Sequence, residues 1–442
     1  MKWFITLNIS MFLFAVLSPT ELTAQTDWKH FTDQPVLSFG VEGEWDSGTV
    51  FWPTVIKDGD TLRMWYTGSN DALGAGTVQI GYAWSRAGRT WRRYSGNPVL
   101  SSELTWEKGA VLSPVVIKDG DIFKLWYGAG GTPSTSIGYA TSPDGLNWKR
   151  HPTPVLDRGS TGDWDSNILG PGAVVKESEA YKMWYWGGRG NWPGSEIQIG
   201  LATSTDGIHW VKYDDPATIG TPFSNSDPVL KIGSFDEWDS LRVWTPAILK
   251  TTTGYQMWYA GRPEASLSSQ LVGYAISMDG IKWEKSPDNP IIDTSPAWGS
   301  SYLTTAVLQI EDFYHLWYTS FTFAARGQKG EIGYAISPVL NGSGSDSEIP
   351  SGYFLAQNFP NPFNLSTVIQ YDLPERAGVT LVIFDVLGRR VKTLVQGIEN
   401  AGFKTITWNG NNELGEPVNS GIYFYQIRAG NFIQTRRMLL LK

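Results

Sequence analysis

The sequence predicts an all-β protein: a five-bladed β-propeller closed by an N-terminal strand, followed by a small Ig-like β-sandwich. Two observations predict it. One unit recurs five times between residue 27 and about residue 338, and repetition at this length marks stacked or radial architectures. The chain also carries 48 glycines, 25 prolines and 22 tryptophans with only 18% charged residues, a composition of short strands and tight turns.

The unit is clearest from Trp106 to Leu156. It opens on Trp followed by an acid in four of the five copies. It continues through an apolar run near a Pro, a polar turn, a Met/Leu-Trp-Tyr strand, Gly-Tyr-Ala, Ser-x-Asp-Gly-x-x-Trp and Pro-Val-Leu. The Trp-Tyr pairs begin at Trp65, Trp126, Trp184, Trp258 and Trp317, and the following glycines are Gly81, Gly138, Gly200, Gly273 and Gly333. The fifth copy stops after Ser337 without its last strand. Trp28–Leu37 supplies that strand, because Trp28 precedes Pro-Val-Leu by the same interval as Trp91 and Trp283 do. Pairing it with the last blade removes an open edge.

Around this ring the chain divides simply. Residues 1–25 read as a signal peptide, with Lys2, an apolar run Trp3–Leu17 and Leu22-Thr23-Ala24 as the cleavage site. The propeller is expected over 26–339, a polar linker over 340–350, and the sandwich over 351–442. A secreted or cell-surface protein follows from the signal. The net charge of −8 offers no basic field for nucleic acid. With no cysteine and four scattered histidines, thiolate zinc sites are excluded. The sequence has no phosphate-binding Gly loop, and its Asp-Gly pairs are too short for a calcium loop. Neither cofactor nor metal is expected.

The spacings separate the two faces of the ring. The step from the Pro53 position to the Trp of Trp-Tyr is twelve residues in every copy, so the turn between the first two strands is constant. The loops between Trp-Tyr and Gly-Tyr-Ala vary in length and content, and variable loops on a rigid scaffold carry binding. Residues that depart from the repeat near that face form the candidate substrate site: Trp52, Arg242, Trp244, Tyr302, Trp186, Arg189 and Trp192. Aromatic faces stack on sugar rings and Arg supplies fixed donors. The acids beside the opening Trp are Asp46, Glu107, Asp165 and Asp239, which read either as turn caps or as site residues. Asp46 and Asp165 are the candidate catalytic pair. Asp71, Glu196, Glu264 and Glu331 are further loop carboxylates.

Two resemblances add to this reading. Asn361-Pro362-Phe363-Asn364, Tyr371-Asp372-Leu373-Pro374, Phe384-Asp385-Val386-Leu387-Gly388-Arg389, Ser420-Gly421-Ile422-Tyr423-Phe424-Tyr425 and the tail Arg436–Lys442 resemble the C-terminal sorting domain of the type IX secretion system. That resemblance implies the secretion machinery as a partner and delivery to the outer membrane. Residues 27–338 resemble the five-bladed propellers of glycoside hydrolase families 43, 32, 62 and 130, which implies a carbohydrate partner and, if active, a glycosidase. Family 43 places carboxylates before a Pro in blade one, after a similar Pro in blade two, and in a Glu-Gly-Pro context. The matching positions here are Trp52, Val115 and Leu169, none of which moves a proton. A non-catalytic glycan-binding or surface-interaction module is the alternative.

Overall fold

The computed structural model describes residues 28–30, 34–71, 76–131, 133–190, 194–264, 270–292, 302–311, 313–324, 327–339, 352–358 and 361–441, without the side chains of 302–305, 322–328, 403 and 405. The expected signal (1–25), the expected linker (340–350) and Trp192 lie outside the described residues.

Five groups of antiparallel strands form the blades, and a parallel bridge between Ile197 and Arg242 joins blades three and four into one nine-stranded sheet. Their innermost strands are Thr49–Asp58, Val111–Asp119, Ile168–Glu177, Arg242–Lys250 and Tyr302–Ile310. Each pairs with the strand that carries Trp-Tyr, and that strand pairs with the one carrying the Gly-Tyr-Ala position. The outermost strands are two-residue segments: Arg92–Arg93, Lys149–Arg150, Val211–Lys212 and Glu284–Lys285. In blade five that place is taken by Lys29–His30, with Lys29 opposite Ile336 and His30 opposite Ala335, and Leu37 bridges Ile332. The N-terminal segment therefore closes the ring, as its Trp-to-Pro-Val-Leu spacing predicts.

The repeated tryptophans fasten neighbouring blades. The indole of Trp184 in blade three donates to the carbonyl of Gly280 in blade four (2.9 Å), and Trp283 of blade four donates to the same oxygen (3.0 Å). Trp126 and Trp210 share Gly207 in the same way, at 2.8 and 3.0 Å. Gly280 has a positive φ of 82°, and a Cβ there would lie 2.7 Å from the Trp184 ring. The Asp-Gly dipeptide thus supplies both the left-handed turn and room for the neighbouring indole.

The constant face carries a second fastening. Asp58 meets Arg63 of its own blade (2.9 Å) and Lys118 of the next (2.7 Å). Asp119 meets Lys124 (2.7 Å) and then Lys176 of blade three, and Glu177 meets Lys182 (3.4 Å) and then Lys250 of blade four (2.6 Å). The hydrogen bonds from Lys124, Lys176 and Tyr181 hold Asp119 well below the usual carboxylate range. Burial would raise Glu177, but Lys250 and Tyr255 outweigh it and bring it down to about 2. Blade four has Thr251 where the acid would stand, and the chain of pairs stops there.

The C-terminal unit is a sandwich of a three-stranded sheet and a four-stranded one. The first holds Phe354–Leu355, Thr367–Leu373 and Gly402–Trp408. The second orders Arg390–Glu399, Ala377–Asp385, Gly421–Ala429 and Phe432–Leu440. Their inner faces bury Leu355, Ile369, Leu381, Tyr425 and Met438. The Asn-Pro-Phe-Asn motif clasps the last strand: Phe363 N donates to Leu439 O (2.9 Å) and Leu441 N to Phe363 O (2.8 Å). Asn361 Oδ1 accepts from Leu439 N at 2.8 Å.

Candidate functional site

Every innermost strand is interrupted at one point. Its register slips between Phe51 and Thr54, Leu112 and Val115, Pro171 and Ala173, Trp244 and Ala247, and Thr304 and Ala306. In blades one, two and four the bulge is an x-Pro pair whose first residue is left-handed: Trp52 (φ 48°), Ser113 (φ 50°) and Thr245 (φ 46°). Left-handed backbone is uncommon at bulky or β-branched residues, and a following proline disfavours it further. Each such residue costs about 1–3 kcal/mol and persists only where its surroundings hold it. In blades one and two the freed backbone N–H is taken up by the preceding blade. Trp52 N donates to Thr319 Oγ1 and Ser113 N to Thr67 Oγ1, both at 2.9 Å. Ser113 Oγ in turn donates to Pro171 O of blade three at 3.2 Å.

These bulges bring Trp52, Trp186 and Trp244 together. Their ring centres lie 6.0 Å (Trp52–Trp186), 6.4 Å (Trp52–Trp244) and 6.2 Å (Trp186–Trp244) apart, the last two edge to face. Phe51 and Phe321 complete the cluster. The three tryptophans are 6%, 1% and 3% exposed, so their faces meet one another instead of solvent. Trp186 Nε1 donates to Pro171 O (3.1 Å). Gly170 makes this possible, since a Cβ there would stand 2.2 Å from the Trp186 ring. The space left between the bulges, lined by Trp52, Ser113, Val115, Thr245 and their prolines, is about 10 Å³. That is room for one water and not for a sugar ring.

Arg242 joins the cluster from its edge. Its guanidinium lies 5.3 Å from the Trp244 ring centre, and Nε donates to Ser195 O at 3.1 Å. Arg262 stands opposite it across the strand pair. Burial, with the like charge of Arg262 added, lowers Arg242 to about 9. Arg262 is a neighbour that the sequence reading missed, although it is the one charged residue at a position held by Ser69, Gly130, Gly188 and Phe321 in the other copies.

Arg189, Asp46 and Asp165 have other surroundings. Arg189 is exposed and pairs with Glu196 at 3.0 Å. Tyr302 begins the innermost strand of blade five. Asp46 and Asp165 are fully buried, in separate blades. Asp165 Oδ2 accepts from Tyr185 (3.2 Å) and Lys212 (2.6 Å), and Asp46 Oδ2 accepts from Tyr66 (3.0 Å) and Arg93 (3.1 Å). Asp239 repeats the pattern with Tyr259 and Lys285, and Glu107 with Tyr127. The tyrosine belongs to Trp-Tyr and the cation to the outermost strand, so each acid spans its own blade. A carboxylate enclosed in this way presents no face to a substrate. Blade five, with Gly299 at the acid's position, joins Tyr318 to His30 of the closing strand (2.9 Å) instead.

Similarity to known proteins follows the same division. Residues 22–162 match the glycosyl hydrolases family 32 N-terminal domain, and residues 365–431 match the FlgD Ig-like domain. The uncharacterized protein MT1551 of Mycobacterium tuberculosis is 29% identical over 239 residues, covering 52% of this chain and 72% of that protein. A beta-1,2-mannobiose phosphorylase of Thermoanaerobacter is 32% identical over 133 residues, covering 27% of this chain but only 44% of that enzyme. A solved structure from the GH130 family of mannoside phosphorylases superposes with a TM-score of 0.57 at 17% identity, covering 72% of this chain and 96% of that one. The propeller is glycoside hydrolase-like and resembles the GH130 phosphorylases in fold.

Proposed function

We propose that this chain is an exported carbohydrate-binding propeller that keeps the glycoside hydrolase-like scaffold without the acid–base chemistry. One observation carries the non-catalytic part: packed indoles of Trp52, Trp186 and Trp244 fill the mouth of the ring. Hydrolysis needs two carboxyl groups held several ångströms apart across a glycosidic bond. The strained bulges hold Trp52, Ser113 and Thr245 instead, and the opening acids are occupied by tyrosine and lysine or arginine. The carbohydrate part is supported by the similarity to enzymes named for β-1,2-mannosides. Ligand contact then falls to the variable loops around the plug.

Titration calorimetry with β-1,2-mannobiose and longer β-1,2-mannosides, beside product assays with and without inorganic phosphate, tests this. The expected result is binding heat without release of mannose or mannose 1-phosphate. Sustained turnover would overturn the non-catalytic reading, and no binding across mannosides and fructosides would overturn the carbohydrate reading.

We further propose delivery to the cell surface through the C-terminal sandwich. The motifs given above, including the clasped terminal strand, support this reading. Protease treatment of intact cells should remove the protein, and protection until the outer membrane is opened would contradict surface delivery.

A further inference from the structure

The outer face of the C-terminal four-stranded sheet is organised in rows. Side chains alternate across a strand, and Leu381, Ile383, Tyr425, Ile427 and Met438 occupy the core side. Thr380, Val382 and Phe384 therefore face outward, as do Phe424, Gln426 and Arg428 on the neighbouring strand. The register places Arg390, Phe384, Phe424 and Arg437 in one row across the sheet. Four residues along the two central strands, beyond the Val382–Gln426 pair, Gln396, Thr380 and Arg428 form another. Between these rows lies a hollow of about 210 Å³, whose lining includes Phe384, Arg390, Gln396, Gln426 and Arg428 and contains no carboxylate.

The hollow is built and not merely left over. Arg428 Nε donates to Gln426 Oε1 (3.1 Å), and Gln426 Nε2 donates to Thr435 Oγ1 (2.8 Å). That relay holds the Arg428 guanidinium through Nε, and the side chain is exposed and lines the hollow. Arg390 forms no ion pair among the described residues. Glu413, the acid that senses its charge, is bound to Thr393 N on the strand edge at 2.7 Å. A polar sheet face with an aromatic row, amides and two forks without carboxylate partners is complementary to a ligand with flat apolar faces, hydroxyls and carboxylates.

We propose that this face is a second binding site, and that its ligand is an acidic oligosaccharide carrying uronate carboxylates. Arg390 and Arg428 bind the carboxylates from opposite corners, Phe384 stacks on a ring, and Gln396 meets hydroxyls. The site belongs to the sandwich alone and does not depend on what the propeller binds.

Calorimetry of the full chain with a galacturonic acid tetramer, and its migration through gels containing polygalacturonate, test the proposal. The expected result is measurable binding and retardation, with no comparable binding of a neutral tetrasaccharide. The double variant Arg390→Ala/Arg428→Ala removes exposed side chains and should keep the melting temperature while weakening binding about tenfold or more. Arg376→Ala, in the same domain but outside the hollow, should bind as the parent does. No binding of the tetramer, unchanged affinity in the double variant, or equally tight binding of polyglutamate would overturn the proposal. The last outcome would mark a surface for acidic peptides instead.

Discussion

Asp165→Ala is expected to lower the unfolding free energy of the propeller by about 3 kcal/mol or more, the range found when one partner of a buried ion pair is removed. Asp165 is wholly enclosed, and its Oδ2 is the acceptor for both Lys212 and Tyr185. Truncation leaves the Tyr185 hydroxyl without that acceptor, in surroundings whose burial already pushes its ionisation far up. Lys212, which is 15% exposed, can recover part of its hydration, so the loss should sit at the lower end. Gly159 packs so closely that a Cβ would lie 2.3 Å from Asp165 Oδ1, which leaves no room for the loop to rearrange around a larger replacement. Urea unfolding of Asp165→Ala, beside the equivalent Asp239→Ala, measures the effect. Parent-like stability with lost ligand turnover would restore Asp165 to a catalytic role and discard the structural one.

Trp186→Ala should cost about 3–5 kcal/mol, as expected for a buried aromatic removed from a packed core. The indole is 1% exposed, touches Trp52 and Trp244, and donates to Pro171 O. Collapse into the vacated space is restricted, because the strained bulge at Trp52 is anchored to Thr319 of the neighbouring blade. The variant should therefore keep a cavity at the mouth, readable as binding of a small aromatic ligand such as indole together with the lowered unfolding midpoint. A variant of unchanged stability would mean that Trp186 is free to serve a ligand, and would return the mouth of the ring to the list of glycan-contacting surfaces.

Much of the fold is legible in the chain because its signals are short-range. The Asp-Gly turns, the Trp-Tyr strands and the seven-residue step from Trp28 to Pro35 each specify a local geometry, and repetition multiplies them. The same repetition concealed the Asp46 and Asp165 partners. Tyr66 and Tyr185 were visible as repeat residues, and so were Arg93 and Lys212 on the last strand. Their convergence on one oxygen depends on the sheet's register, which no spacing within a single strand reports.

The sequence by itself determined the five-bladed ring, its closure by the N-terminal strand and the sandwich that follows. Only the tertiary structure decided that Trp52, Trp186 and Trp244 plug the mouth together, and that Arg262 stands beside Arg242. Those residues come from three blades, far apart along the chain, and ring closure alone brings them to one axis. The physical reason is range: turn and strand preferences act over a few residues, whereas packing at the centre of a ring depends on the placement of every blade.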